Sequence, residues 1–106
     1  MQNFTSKIRG TSRQAQWAHD MRNAMLTHEY HVDEAIARRC EREGHTVDRA
    51  TLLVIADQLT EAKFWIEECY VNPWNGIAAA LISYKTVDAI NNEFHKLNTA
   101  KGQRWY

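Results

Sequence analysis

The chain has 106 residues, with 13 lysines and arginines balanced by 13 aspartates and glutamates. That length holds one modest hydrophobic core without metal or disulfide support, so residues 1–106 read as a single domain. The zero net charge removes a global argument for nucleic-acid attraction or for acidic mimicry of it, and four glycines and one proline are too few breakers for a many-turned β fold. The expected class is all-α.

The charge is unevenly spread. Residues 1–28 carry Lys7, Arg9, Arg13 and Arg22 against Asp20, residues 29–70 carry ten acidic groups against five basic ones, and the last segment adds Lys85, Lys96, Lys101 and Arg104. Such a two-signed surface can steer a partner, or can simply be a mixed solvated face. Cys40 and Cys69 form no C-x-x-C pair and the opening "MQNFTSKIRG" has no apolar leader, so a reduced, cytoplasmic protein with two buried thiols is expected. No apolar run approaches a membrane span.

Residues 1–10 lack apolar periodicity and read as a loosely held, flexible arm. Thr11 or Ser12 then caps a helix whose apolar stripe runs Trp17, Met21, Met25, Val32, Ile36 and Cys40, up to a left-handed cap at Gly44. An unbroken helix from Ser12 to Glu43 would be about 48 Å long, against a diameter of about 33 Å for a compact globule of this size. The resulting expectation is an elongated helical hairpin, with a bend near "THEYH" (Thr27–His31), or a small bundle of three to five helices.

A second helical region follows Thr46 or Asp48 with Leu52, Leu53, Ile55, Ala56 and Leu59. In "LTEAKFWIEECY" the residues Ala62, Trp65, Ile66 and Cys69 fall on one stripe, Phe64 lies off it and Tyr70 at its edge. "NPWNG" (Asn72–Gly76) reads as a tight connection. The final region carries Ile77, Leu81, Tyr84, Val87, Ile90, Phe94 and Leu97 at steps of three or four, with Thr86 as an internal start signal, and residues 98–106 form a tail.

Four chemistries can be weighed on these elements. "HEYH" supplies His28 and His31 three apart, with Glu29, Cys40 and His45 further off, but it is neither H-E-x-x-H nor a cysteine pair, and solvent-facing histidines account for it. Asp33, Glu34, Glu67, Glu68 and His95 offer acid–base groups without a nucleophile elbow, phosphate loop or dinucleotide fingerprint, so no catalytic, cofactor or metal residues are assigned and no enzyme is expected. Nucleic-acid binding would rest on "SKIRGTSR" and on "KGQRWY". Protein binding would rest on Trp74 in its turn and on Trp105 and Tyr106, residue types that anchor interfaces.

Two segments, "GTSRQAQWAHDMR" (Gly10–Arg22) and "LTEAKFWIE" (Leu59–Glu67), resemble the paired motifs of a small family found in bacteriophage and mobile-element genomes, G-T-x-K-Q-x-x-W-A-x-x-I-R and I-T-D-A-K-W/F-W-I-D. The match spans 22 positions, with Arg13, Met21 and Glu61 replacing lysine, isoleucine and aspartate. The family has no settled activity. The resemblance implies shared helical packing, with Trp17 against Trp65 and with Gln14, Arg22 and Lys63 on the rim, together with a phage context.

By analogy with small phage proteins that occupy a surface of host defence machinery, as anti-CRISPR proteins do, the expectation is a non-enzymatic phage or prophage accessory protein in the host cytoplasm. It would bind a host protein or ribonucleoprotein complex through Arg9, Arg13, Trp74, Arg104, Trp105 and Tyr106, without a cofactor. The alternative is a small nucleic-acid or nucleotide binder using the basic termini. A homodimer that buries surplus aromatics stays open.

Overall fold

The first helix begins where Thr11 and Gln14 cap one another. The Gln14 N–H donates to the Thr11 hydroxyl, and the Thr11 N–H donates to the Gln14 side-chain oxygen, both at 3.2 Å, which closes a capping box at the start of α1 (Ser12–Ala24). The computed structural model describes residues 4–99, and among these it holds six α-helices and no strand.

The single rod expected from Ser12 to Glu43 is two helices. α1 ends at Ala24, an irregular segment follows, and Asp33 caps α2 (Glu34–Arg42) by accepting from the Ala35 N–H at 3.0 Å. The intervening Thr27, His28, Tyr30, His31 and Val32 have middling helix propensity, and breaking there lets Tyr30 reach across the fold. Its hydroxyl donates to the Val47 carbonyl at 3.2 Å, and its ring stands edge-on to Trp74 with centroids 5.1 Å apart. The elongated hairpin is corrected accordingly: the extents are 38 × 29 × 21 Å and the radius of gyration is 13.3 Å.

Gly44 closes α2 as read from the sequence. It sits at φ +90°, while the Gly44 and His45 amides donate to the Glu41 and Cys40 carbonyls, the double bond of a Schellman ending. α3 (Arg49–Gln58) is capped by Asp48, whose carboxylate accepts from the Thr51 N–H at 2.7 Å. α4 (Ala62–Glu68) follows after three residues. "NPWNG" proves to be a helix start: Asn72 accepts from the Trp74 and Asn75 amides, and Pro73 occupies the first turn of α5 (Pro73–Tyr84). Lys85, at φ +76°, and Thr86, which accepts from the Ala89 N–H, separate α5 from α6 (Val87–Thr99).

α4 is the centre of the fold, packed between α1, α5 and α6. All five residues from Ala62 to Ile66 are buried, so this short helix has no solvent face along most of its length. Trp65 is fully buried and donates its indole N–H to the Leu59 carbonyl at 2.9 Å. Phe64 stacks edge-on against both Trp65 and Phe94. Behind α4, α5 approaches closely enough that a Cβ on Gly76 would lie 2.2 Å from the Glu68 carbonyl oxygen. α2 rests on α5, with the Cys40 thiol directed at the Ala78 carbonyl.

The N-terminal segment is not a loose arm over its described residues. Ile8 is buried, the Arg9 N–H donates to the Thr60 carbonyl at 2.7 Å, and the Ala62 N–H donates to the Arg9 carbonyl at 2.8 Å. An extended chain satisfies its backbone here by borrowing the turn ahead of α4.

Candidate functional site: the seam of α1 and α4

The two segments that carry the family resemblance meet in space. Gly10 lies against Ala62, where a Cβ would come within 2.8 Å of the Ala62 Cβ, and its φ of +157° suits glycine. Beside it the Arg9 guanidinium grips the fully buried Glu61 carboxylate, whose second oxygen lies 3.4 Å from His95 Nδ1 on α6. Burying a carboxylate requires such partners.

Further along α1, Arg22 is 2 % exposed and faces the N-terminal segment. It donates to the Ser6 hydroxyl at 2.8 Å and to the Ser6 carbonyl at 2.7 Å, and stands 3.8 Å from Asp57. Burial pushes the Asp57 carboxyl up, but the Ser6 and Thr5 amides and hydroxyls that surround it outweigh this and hold it down at about 2.

The interior face of α1 is therefore Gln14, Ala18 and Arg22, and this reverses the expected packing of the motif. Gln14, Arg22 and Lys63 are buried, whereas Trp17, expected to pack inward against Trp65, is 43 % exposed. The physical reason is the size of the inner stripe: Ala18 lets α1 sit close on α4, and an indole on that face would hold the two helices apart.

Outside the seam, Trp17, Ile66, Glu67 and Tyr70 line an open groove of about 420 Å³. Tyr70 is 68 % and Val71 80 % exposed. Under them lies Lys63, its ammonium 3.8 Å from Glu67; burial lowers its pKa, with Glu67 pulling the other way. Val71 borders a second hollow of about 250 Å³ between α2 and α5, whose lining includes Ile36, Asn72, Ala79 and Glu68. The Glu68 carboxyl is raised, first by burial and then by Glu67.

A larger hollow of about 650 Å³ lies on the outer side of α2 against Ala35, Arg38, Glu41 and Arg42. Its walls are long charged side chains of one helix, which fix no shape for a ligand. Neither thiol is reactive in character: Cys40 and Cys69 are both buried and both pushed up by that burial. Among the described residues no three His, Cys, Asp or Glu side chains converge as a metal site would need, and His28 and His31 are exposed.

The sequence-expected contact residues divide four ways. Arg9 belongs to the seam through Glu61, and Arg13 is exposed one turn before Trp17. Trp74, expected to stand exposed in a turn, is 2 % exposed, because the turn is the first coil of α5 and the indole packs under Tyr30 with the Arg49 guanidinium 6.0 Å from its ring. Arg104, Trp105 and Tyr106 lie outside the described residues. Of the groove residues, Tyr70, at the edge of its apolar arc, is the one the sequence offers for contact with a second helix or a partner, whereas Ile66, Glu67 and Val71 carry no such signal. Comparison with protein-family models, with curated proteins and with solved structures returns no match.

Proposed function

We propose that the protein acts by binding another macromolecule through the groove that Trp17 and Tyr70 flank, floored by the buried Ile66, with Val71 at its margin. The observation that carries this reading is the exposure of Trp17 and Tyr70 across one groove. Trp17 is 43 % and Tyr70 68 % exposed, and aromatic groups in a groove are the residues from which interfaces gain most. Gln14, Ala18 and Arg22 of α1 and Ala62 to Ile66 of α4 are buried, whereas Trp17 is exposed.

The resemblance to phage and mobile-element proteins gives the reading its setting: an accessory protein of phage or prophage origin, working without catalysis in the host cytoplasm, that occupies a protein or ribonucleoprotein of the host defence machinery. Affinity capture from a bacterial lysate, with identification of what co-purifies, tests it. Trp17→Ala with Tyr70→Ala is expected to lose the captured partner while keeping the helical spectrum, and retention of that partner by the double variant would refute the assignment of this face. Nucleic-acid binding is the second reading, favoured by the exposed Arg13 one turn from Trp17. It requires affinity for DNA or RNA that falls steeply between low and moderate salt.

A further inference from the structure

We propose that residues 4–10 form a strap across α1 and α3 that is released by protonation of His19. The strap is held at three places. At its start the Phe4 ring lies 4.8 Å from the Arg22 guanidinium, and the Thr5 and Ser6 amides both donate to Asp57 Oδ1, at 2.8 and 2.9 Å. At its end Arg9 bridges to Thr60, Glu61 and Ala62. In the middle, the Ile8 N–H donates to His19 Nε2 at 3.3 Å, and this bond ties the buried Ile8 to α1.

The other nitrogen of the same ring, Nδ1, lies 3.3 Å from Arg22 Nη2. Both ring nitrogens thus face donors. A neutral imidazole can accept from one of them, and an imidazolium from neither, because both of its nitrogens then carry protons. Protonation therefore removes the middle tie and sets a second positive charge beside Arg22, whose own bonds to Ser6 hold the start of the strap.

The charged groups that face His19 are Arg22 and Asp20 on α1 and Lys7 on the strap, with the Asp57 carboxylate of α3 behind Arg22. Burial lowers the His19 pKa most, Arg22 and Lys7 lower it further, and Asp20 opposes them without reversing the direction. A histidine lowered in the closed state from its ordinary 6.5 favours the closed strap above that value, and the preference is lost as pH falls through and below it. Asp57, held at about 2, and the always-charged Arg22 do not change state in that range. Gly10, with its positive φ, is the pivot between strap and α1.

The test is hydrogen exchange of the Ile8, Arg9 and Ala62 amides in the full chain at several pH values from about 7.5 to about 5, with each rate divided by its intrinsic rate at that pH, alongside the titration of the His19 ring followed by NMR. The expected result is a His19 midpoint below the ordinary histidine value and a strap opening that grows on acidification, about tenfold for each unit separating the closed and open midpoints. His19→Gln, which keeps a neutral acceptor, is expected to flatten that pH dependence. His95→Gln is expected to leave it in place, since a protonated His95 would add attraction to Glu61. A His19 midpoint at or above the ordinary value, or strap protection that stays constant while the ring titrates, overturns the proposal. Both readouts come from the unaltered chain and decide the matter even if His19→Gln does not fold.

Discussion

Arg22 is a cation inside a small protein, and three groups on other segments make that position tenable: the Ser6 carbonyl and hydroxyl and the Asp57 carboxylate. Asp57 in turn depends on the strap for its own partners. Because its carboxyl is held at about 2 rather than 3.8, it adds stability that is complete above pH 4 and is lost as pH falls from there toward 2. The linkage is worth about 2 kcal/mol, and urea unfolding at neutral and at acid pH should show that loss in the native chain and a smaller one in Asp57→Asn. At the other end of the seam, Gly10→Ala should cost about 1–3 kcal/mol in the same assay, since its Cβ would collide with Ala62 at 2.8 Å. None of this polar network was legible in the sequence, where Gln14 and Arg22 look like surface residues. Hydrophobic patterning instead selects Trp17, Met21 and Met25, yet steps of four residues drift by about 40° each around a helix. That drift is shared by the true inner stripe of Gln14, Ala18 and Arg22; Trp17 faces solvent because it stands about 100° around the helix from Ala18 and about 140° from Arg22.

Among the elements, the starts of α1 and α3 and the end of α2 were legible from their capping residues, whereas the starts of α2 at Asp33 and of α5 at Asn72 were not. The sequence offers Thr11 or Ser12, Thr46 or Asp48, and Gly44 as boundary residues, and the structure uses Thr11, Asp48 and Gly44. Thr11→Ala, which opens the capping box, should lower stability by about 1 kcal/mol in thermal or urea unfolding, with the folded spectrum little changed. The break between α1 and α2 was harder to see because apolar residues continue through it at helical intervals: Met25 is buried and Val32 half-buried, so both reach the core from a chain that has stopped being a helix. Periodicity reports which residues face inward but not whether the backbone between them is continuous. The same limit applies at Asn72, where a proline and a glycine suggest a loop. Pro73 fits the first turn, where its missing N–H costs nothing, and Gly76 is there because α5 presses on the end of α4.

For the molecule as a whole, helical class was evident from composition, while the shape and the inward or outward sense of the aromatics depended on contacts distant in sequence. Burial of Trp74 needs Tyr30 from the other side of the fold, and exposure of Trp17 follows from how closely α1 approaches α4. With the polar stripe of α1 turned inward, Trp17 and Tyr70 are the groups proposed to hold another molecule. Hydroxyl-radical footprinting, read residue by residue by mass spectrometry on the protein alone and on its captured complex, tests it most directly. Trp17 and Tyr70 should be labelled readily in the free protein, Trp65 and Trp74 should be protected, and the complex should shield the first pair. Protection of Trp17 equal to that of Trp65 in the free protein, or labelling of Trp17 and Tyr70 that is unchanged in the complex, would contradict it.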